Sequence, residues 1–335
     1  MSGCMNIAVA ANEAFFKYLY VMLTSLLENN KSHPIRLFLL SVDIGEAQEE
    51  QIGNLVKKYG QDFCFMKIDK SRFPKELPVN ETITLETYFR FALIDLLPAE
   101  LERILYLDVD VIVNKSLHEF YEMDFEDNFF CVCRDVTADV TERIGQSEVL
   151  NSIRAAGRYF NAGILLFNLK KLRESTSFSF LMQKALEMKD ELTFHDQDLL
   201  NCVFRNAVKY ADPLQYNLIA RTAYNAGYGY QEVKENVTIL HYAGSKPWDY
   251  KDVRYALEEF WWEYAKMTPY YTELLERMIL SEIRTGYMER LFRDLKREND
   301  ELEAIVDRCM NLLKSKAGGV LCLPKGSLKS EEYIG

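Results

Sequence analysis

The stretch RILYLDVDVIVNKSL, residues 103–117, decides the reading of the fold. It is as apolar as a core strand, yet it carries Asp108 and Asp110 one residue apart. Alternate side chains of an extended strand share a face, so a strand here points both carboxylates the same way. In apolar surroundings two unpaired carboxylates cost several kcal/mol or take up protons. Either a divalent cation or a neighbouring Lys or Arg would relieve them, and the three residues alone leave both open.

Upstream of this stretch, apolar runs alternate with helical periodicity. NIAVAA, a helix around Phe15 to Glu28, IRLFLLSV, a helix from Glu46 to Tyr59, and FCFMKID follow one another. That is the rhythm of a mostly parallel sheet flanked by helices. In the second helix Ile52, Leu55, Val56 and Tyr59 share a face, and Asp43 with Glu46 is expected to form a capping box. TYFRFALIDLL reads as helical; NFFCVC and YFNAGILLFNL read as further strands. From about Lys170 the chain is expected to be mainly helical until one more short strand, VTILHYAG. Ligands of such sheets sit beyond the carboxyl ends of the strands, where Asp108 and Asp110 fall.

The 335 residues are 48% hydrophobic and 13% aromatic, which supports a sizeable core and excludes disorder. A formal net charge of −11 argues against nucleic acid as a partner, because phosphate-backbone binding needs clustered Lys and Arg. Seven scattered cysteines without a CxxC pair suggest neither a disulfide framework nor a zinc site. The sequons at Asn80 and Asn236 carry little weight, since no basic-then-apolar leader opens the chain. A cytoplasmic protein is expected, with no apolar run near the roughly 18 residues of a membrane span.

After residue 270 the character changes. A charged helical run places Leu291, Leu295, Leu302, Ile305, Val306 and Leu313 on a narrow apolar stripe. Such a stripe suits a partner helix (self-association), a membrane surface touched peripherally, or packing back onto the body. Residues 1–270 are therefore expected to form the main domain, and 271–335 a helical extension whose end, beyond Ala317, is a loose tail.

Three further clusters carry chemistry. In HYAGSKPW, residues 241–248, His241 is one of only four histidines and is either a hydrogen-bonded core residue or a ligand. Gly244 permits close backbone approach, Lys246 is a mobile point charge suited to phosphate, and Pro247 with Trp248 would stiffen the turn. Two aspartates and one imidazole favour Mn²⁺, with Mg²⁺ possible, as a template for a diphosphate and a Lewis acid toward it. FNAG (160–163) and HDQD (195–198) bring amides and carboxylates to element ends, although Asp196 also suits a helix cap. Arg90 interrupts an apolar helix face, so it is either surface-directed or drawn inward by an anion.

Taken in order, NIAVAANEAFFKYLYVMLTSLLENN, TYFRF, ILYLDVDVIV, YFNAGILLFNL, HDQDLLN and HYAGSKPW resemble the family-8 retaining glycosyltransferases, which include bacterial lipopolysaccharide galactosyl- and glucosyltransferases and the glycogenins. The resemblance spans roughly residues 5 to 270. It implies an α/β nucleotide-diphospho-sugar transferase fold of the GT-A kind and a UDP-sugar donor. It also implies Mn²⁺ dependence, retention of anomeric configuration, and a saccharide or glycolipid acceptor in lipopolysaccharide, capsule or other surface-glycan synthesis, with glucose or galactose as the default sugar. By motif it makes Asp108, Asp110 and His241 the metal ligands. Ala10, Asn12, Phe15, Arg90, Asp135, Gly244 and Lys246 would bind the donor, with Val109 offering its backbone to the ribose. Asn161, Asp196 and Gln197 would line the sugar and acceptor side. The chain departs from the pattern after the first strand, where Asn12-Glu13-Ala14-Phe15 stands in place of Asp and Asn-Tyr; Phe15 can still stack on uracil. The Gly244–Lys246 spacing is also one residue short.

Retention requires a double displacement or a front-face reaction. A glutamine is a poor nucleophile, which favours the front-face route with Gln197 as an electrostatic stabiliser. One rival reading is a metal-dependent nucleotidyltransferase or nucleotide-sugar hydrolase, but AANEAFF lacks the Gly-rich basic loop usual in nucleotidyltransferases. Another is a catalytically silent scaffold on the same fold, against which the intact Asp108, Asp110 and His241 set speaks.

Overall fold

Strand β1 (Met5–Ala10) is buried along its whole length, and its side chains divide by period two: Ile7 and Val9 enter one core layer, Ala8 and Ala10 the other. A strand covered on both faces is the mark of a sheet with helices on each side. The structure is a computed structural model describing residues 3–79, 84–137, 147–244, 246–249 and 254–316. Along the chain follow β2 (Ile35–Ser41), β3 (Asp62–Lys67), β4 (Arg103–Leu107), β5 (Val111–Val113), β6 (Phe130–Arg134), β7 (Phe160–Asn168), β8 (Val208–Ala211), β9 (Leu218–Ile219) and β10 (Ile239–His241). Seven of them form one sheet in the order β3-β2-β1-β4-β7-β6-β8. It is mostly parallel, with β7 antiparallel to both β4 and β6. A small second sheet has the order β5-β10-β9.

One layer packs the helix Phe16–Asn29, with Leu19, Leu23 and Leu26, against Ile7, Leu37 and Leu105 and carries the fully buried Trp261. The opposite layer sets Phe91 and Leu93 of the helix Phe89–Leu96, and Leu199 and Leu200 of the helix His195–Phe204, against Tyr106, Leu165 and Phe167.

Several expectations change. The segment 103–117 is not one strand: β4 ends at Leu107, a turn holds Asp108 to Asp110, and β5 starts at Val111 in the other sheet. The two carboxylates therefore converge because the chain crosses between sheets, not because of strand alternation. The helix Glu46–Lys58 is capped by Gln48, whose side chain accepts the Gly45 N–H at 3.2 Å. Asp43 instead accepts the Glu13 N–H at 3.0 Å, tying together the loops that follow β2 and β1. Strands β8 and β9 interrupt the region expected to be helical up to VTILHYAG.

Asn114, just past β5, holds the small sheet together: its Nδ2 donates to the carbonyls of Lys234 at 3.1 Å and Val237 at 2.8 Å, and its N–H to Thr238 O at 2.8 Å. Cys4, Cys64, Cys131, Cys133, Cys202 and Cys309 are free thiols. The contacts divide the chain into two compact units, Met1–Glu276 and Arg277–Gly335. Leu274 is buried in the first; in the second, on the helix Tyr287–Lys316, Leu302, Ile305 and Val306 are exposed. No described helix is long and apolar enough to cross a membrane. Asn80, Cys322 and the expected tail beyond Ala317 lie outside the described residues.

Asn114→Ala is expected to lower stability by about 1–3 kcal/mol, because it strands buried carbonyls without a donor. Chemical denaturation followed by circular dichroism measures it, and an unchanged midpoint would remove Asn114 from the small sheet's supports.

Candidate active site

The turn Asp108–Asp110 is built by its flanks. The Asp108 N–H still donates to Gly163 O at 2.8 Å, extending the β4–β7 ladder by one residue. On the far side Tyr242 N–H donates to Asp110 O at 2.9 Å, tying the turn to the end of β10. His241 is thereby carried to the turn, and one ligand atom each from Asp108, Asp110 and His241 lies within 4.8 Å of the others. Carboxylate oxygens and an imidazole nitrogen so gathered can hold a divalent ion with bonds of about 2.0–2.6 Å. The geometry leaves no room for a side chain beside them. A Cβ on Gly163 would stand 2.7 Å from His241 Cε1 and 2.8 Å from Asp108 Oδ2.

Cations surround the two carboxylates. Arg90 is drawn inward and is 2% exposed. Its Nη2 donates to Asp108 Oδ1 at 2.9 Å, its Nη1 to Ala162 O, and its Nε to Thr87 O at 2.8 Å, with Asp196 Oδ2 at 3.3 Å. The guanidinium lies over the Tyr106 ring, 4.5 Å from its centre. Lys246 donates to Asp110 Oδ2 and, at 2.9 Å, to Tyr242 O. Burial works to raise the Asp110 carboxyl's pKa, but the Lys246 ammonium outweighs it and holds it below the ordinary carboxylate range. For Asp196 the balance goes the other way. Burial pushes it up to about 6, helped by Asp108, against the pull of Arg90.

A cleft opens in front of the turn. Ala10, Asn12, Phe15, Arg90, Asp108, Val109, Asp110 and Lys246 line it, together with Thr84, Glu86, Thr87 and Tyr106, which the sequence did not single out. Asn12 Oδ1 accepts the Phe15 N–H at 3.2 Å, which leaves its Nδ2 for a ligand. Phe15 is 38% exposed and offers a ring face. The loop bearing Lys246 is anchored by Trp248 stacked on Tyr18, centroids 4.2 Å apart. Gly244 does not line the cleft; with φ +84° it holds a left-handed turn that favours glycine.

Behind the turn, Asp135, Asn161 and Gln197 form a network of their own. Asp135 Oδ2 accepts from Asn161 Nδ2 and from Gln197 Nε2, each at 3.1 Å. Gln197 Oε1 accepts the Ala162 N–H at 2.9 Å and Asn161 Nδ2 at 3.2 Å. Asn217, which no motif marks, links this network to His241 Nδ1 at 2.8 Å. The cap expected of Asp196 belongs to Asp198, which accepts the N–H groups of Thr193 at 2.6 Å and Phe194 at 2.7 Å, and pairs with Arg154 at 2.7 Å. These bonds fix the turn in which His195 takes φ +40° and sends Asp196 to Arg90.

Comparison with known proteins shows what the chain is similar to. The chain is 29% identical over 258 residues to a putative glycosyltransferase of Haemophilus influenzae, covering 75% of this chain and 74% of that protein. It is 28% identical to a lipopolysaccharide 1,2-glucosyltransferase of Escherichia coli, covering 72% and 73%. Among solved structures it superposes on the galactosyltransferase LgtC in complex with donor and acceptor sugar analogs with a TM-score of 0.64 and 28% identity, over 79% of this chain and 96% of that one. An active-site mutant of LgtC gives 0.67 and 29% over 78% and 96%. The fold is therefore that of the GT-A glycosyltransferases. The profile of glycosyl transferase family 8 matches residues 6–252, and the chain belongs to that family.

Proposed function

We propose that this protein is a retaining hexosyltransferase that moves glucose or galactose from a UDP-sugar to a saccharide acceptor in lipopolysaccharide or another surface glycan, with Mn²⁺ held by Asp108, Asp110 and His241. The observation that carries the reading is the gathering of those three ligands at the mouth of a cleft lined by an exposed aromatic ring and a lysine. The relatives' acceptors, lipopolysaccharide among them, support the acceptor class. We assign this activity to residues 1–270 and treat 271–335 as a helical extension.

When bound by Asp108, Asp110 and His241, the ion would supply Lewis acidity that draws off the charge building on the diphosphate. The chain's own residues do the rest. Phe15 stacks on the base, Asn12 Nδ2 donates to it, and the Val109 backbone meets the ribose. Lys246, the partly exposed cation on the rim, turns from Asp110 to the leaving phosphate. Ala10 lets the donor approach closely and Gly244 shapes the turn that carries Lys246, while Arg90 lines the wall against which the sugar rests and Asp135 braces it from behind. Gln197 spends its carbonyl oxygen on Ala162 and Asn161, and Asp196 is engaged by Arg90. Neither is a free nucleophile, which favours a front-face reaction. In it the acceptor oxygen bonds to the anomeric carbon as the bond to the β-phosphate breaks, and the departing phosphate takes the acceptor's proton.

The test is UDP release from a panel of UDP-sugars, with Mn²⁺ or with chelator. One sugar is expected to turn over slowly with Mn²⁺ alone, and Asp110→Ala to lower the rate by at least about 100-fold. A protein that cleaves no UDP-sugar with any divalent metal would return the reading to a silent scaffold. Gly163→Ala probes the ligand cradle separately. Its methyl group collides with the His241 ring, so Mn²⁺ affinity is expected to fall about 10- to 100-fold while circular dichroism stays unchanged. Equal affinity in the variant would show that the ion sits elsewhere.

A further inference from the structure

The direction of every hydrogen bond between Asp135 and His241 can be worked out from groups that have no choice of role. A backbone N–H only donates, so the Gly163 N–H, 2.9 Å from Asn161 Oδ1, fixes that atom as the oxygen of its amide. Asn161 Nδ2 then faces Asp135 Oδ2 at 3.1 Å, where an ionised carboxylate can only accept. Because Asn161 presents its oxygen to Asn217 at 3.1 Å, Asn217 must present its NH₂ group in return. Its carbonyl oxygen is then left facing His241 Nδ1 at 2.8 Å. An oxygen at that distance demands a proton on Nδ1. In the neutral ring the proton is thereby placed on Nδ1, and Nε2 keeps its lone pair.

Nε2 faces Asp110 Oδ1 at 3.3 Å. With the proton on Nδ1, two lone pairs confront each other there, an arrangement that a cation between them relieves. We infer that Asn217 is a positioning residue of the metal centre: the relay Asp135–Asn161–Asn217 holds neutral His241 in the Nδ1–H tautomer and so aims Nε2 at the ion. The members are buried, Asn217 at 1%, Asn161 at 5%, Asp135 at 8% and His241 at 2% exposure, so water does not compete for these bonds. Asp135 and Asn161 are also the residues placed at the donor sugar above. The same chain of amides therefore joins the sugar end of the site to the metal end. This inference rests on the metal reading of Asp108, Asp110 and His241.

The test separates the two. In metal-free, ¹⁵N-histidine-labelled full-length protein at a pH where the ring is neutral, His241 is expected to show a pyrrole-like Nδ1 and a pyridine-like Nε2. With four histidines in the chain, His241→Gln identifies its signals. Asn217→Leu is expected to give a mixture of tautomers and to weaken Mn²⁺ binding, read from the free-ion electron paramagnetic resonance signal, about 10- to 100-fold. Asn217→Asp still accepts from Nδ1–H but loses the donor to Asn161 Oδ1, and is expected to keep that tautomer. A proton on Nε2 in the unaltered protein overturns the inference, as does full Mn²⁺ affinity in a folded Asn217→Leu. If that variant does not fold, the spectrum of the unaltered protein still decides. An unaltered protein with the expected tautomer but no Mn²⁺ binding would sink the metal reading while leaving the tautomer assignment intact.

Discussion

Two carboxylates on one tight turn repel each other, and the site is organised around offsetting that repulsion. Asp108 and Asp110 occupy the point where the chain leaves the large sheet and enters the small one. Arg90 compensates the first from a helix of one core layer, and Lys246 the second from the segment that follows the small sheet's last strand. Arg90 suits its place because a guanidinium is planar: it serves Asp108, Asp196 and two backbone carbonyls at once while lying flat over Tyr106. A buried ion pair of this kind contributes little net stability, since desolvation offsets most of the Coulomb gain. Its effect is to hold geometry.

The parallel half of the fold was legible because short apolar runs and helical stripes are local signals. β1, β2 and β3 with their intervening helices lie within a residue or two of where periodicity sets them. The crossing at residues 108–110 was not legible. RILYL and VIV are each buried strands, and a sequence window cannot tell that they belong to different sheets. β9 is two residues long and has no period to detect. Asp43 and Asp196 are of the right type to cap helices, but Gln48 and Asp198 reach those amides instead. Caps depend on the angle at which the chain enters, which is set by tertiary packing.

At the site, charged residues set in apolar stretches were readable for the same reason that they are costly: Arg90, Asp108, Asp110 and His241 have few harmless places to go. Asn217 and Gly163 gave no such signal. An asparagine in QYNLIA fits many turns, and its role arises only when β9 lies beside β10 and brings it to His241. Gly163 has an ordinary backbone conformation, and its lack of a side chain matters only because two ligands close over it.

The two sides of the turn differ in how freely they can rearrange, and that difference suits a transfer reaction. On the buried side, amide orientations are fixed in sequence by donors and acceptors that have no alternative, so reorganising one member means breaking several bonds in a region closed to water. On the cleft side, Lys246 is a single flexible ammonium, 26% exposed, bonded to one carboxylate and one carbonyl. On the proposed reading, a metal ion held by Asp108, Asp110 and His241 would supply the positive charge that the lysine now gives Asp110. The ammonium then has little to lose by turning toward an anion in the cleft, whereas His241 and Arg90 cannot follow it. If the proposed transfer from a UDP-sugar holds, charge would thus be redistributed toward the leaving diphosphate by moving one side chain, while the buried amides stay where the fold has put them.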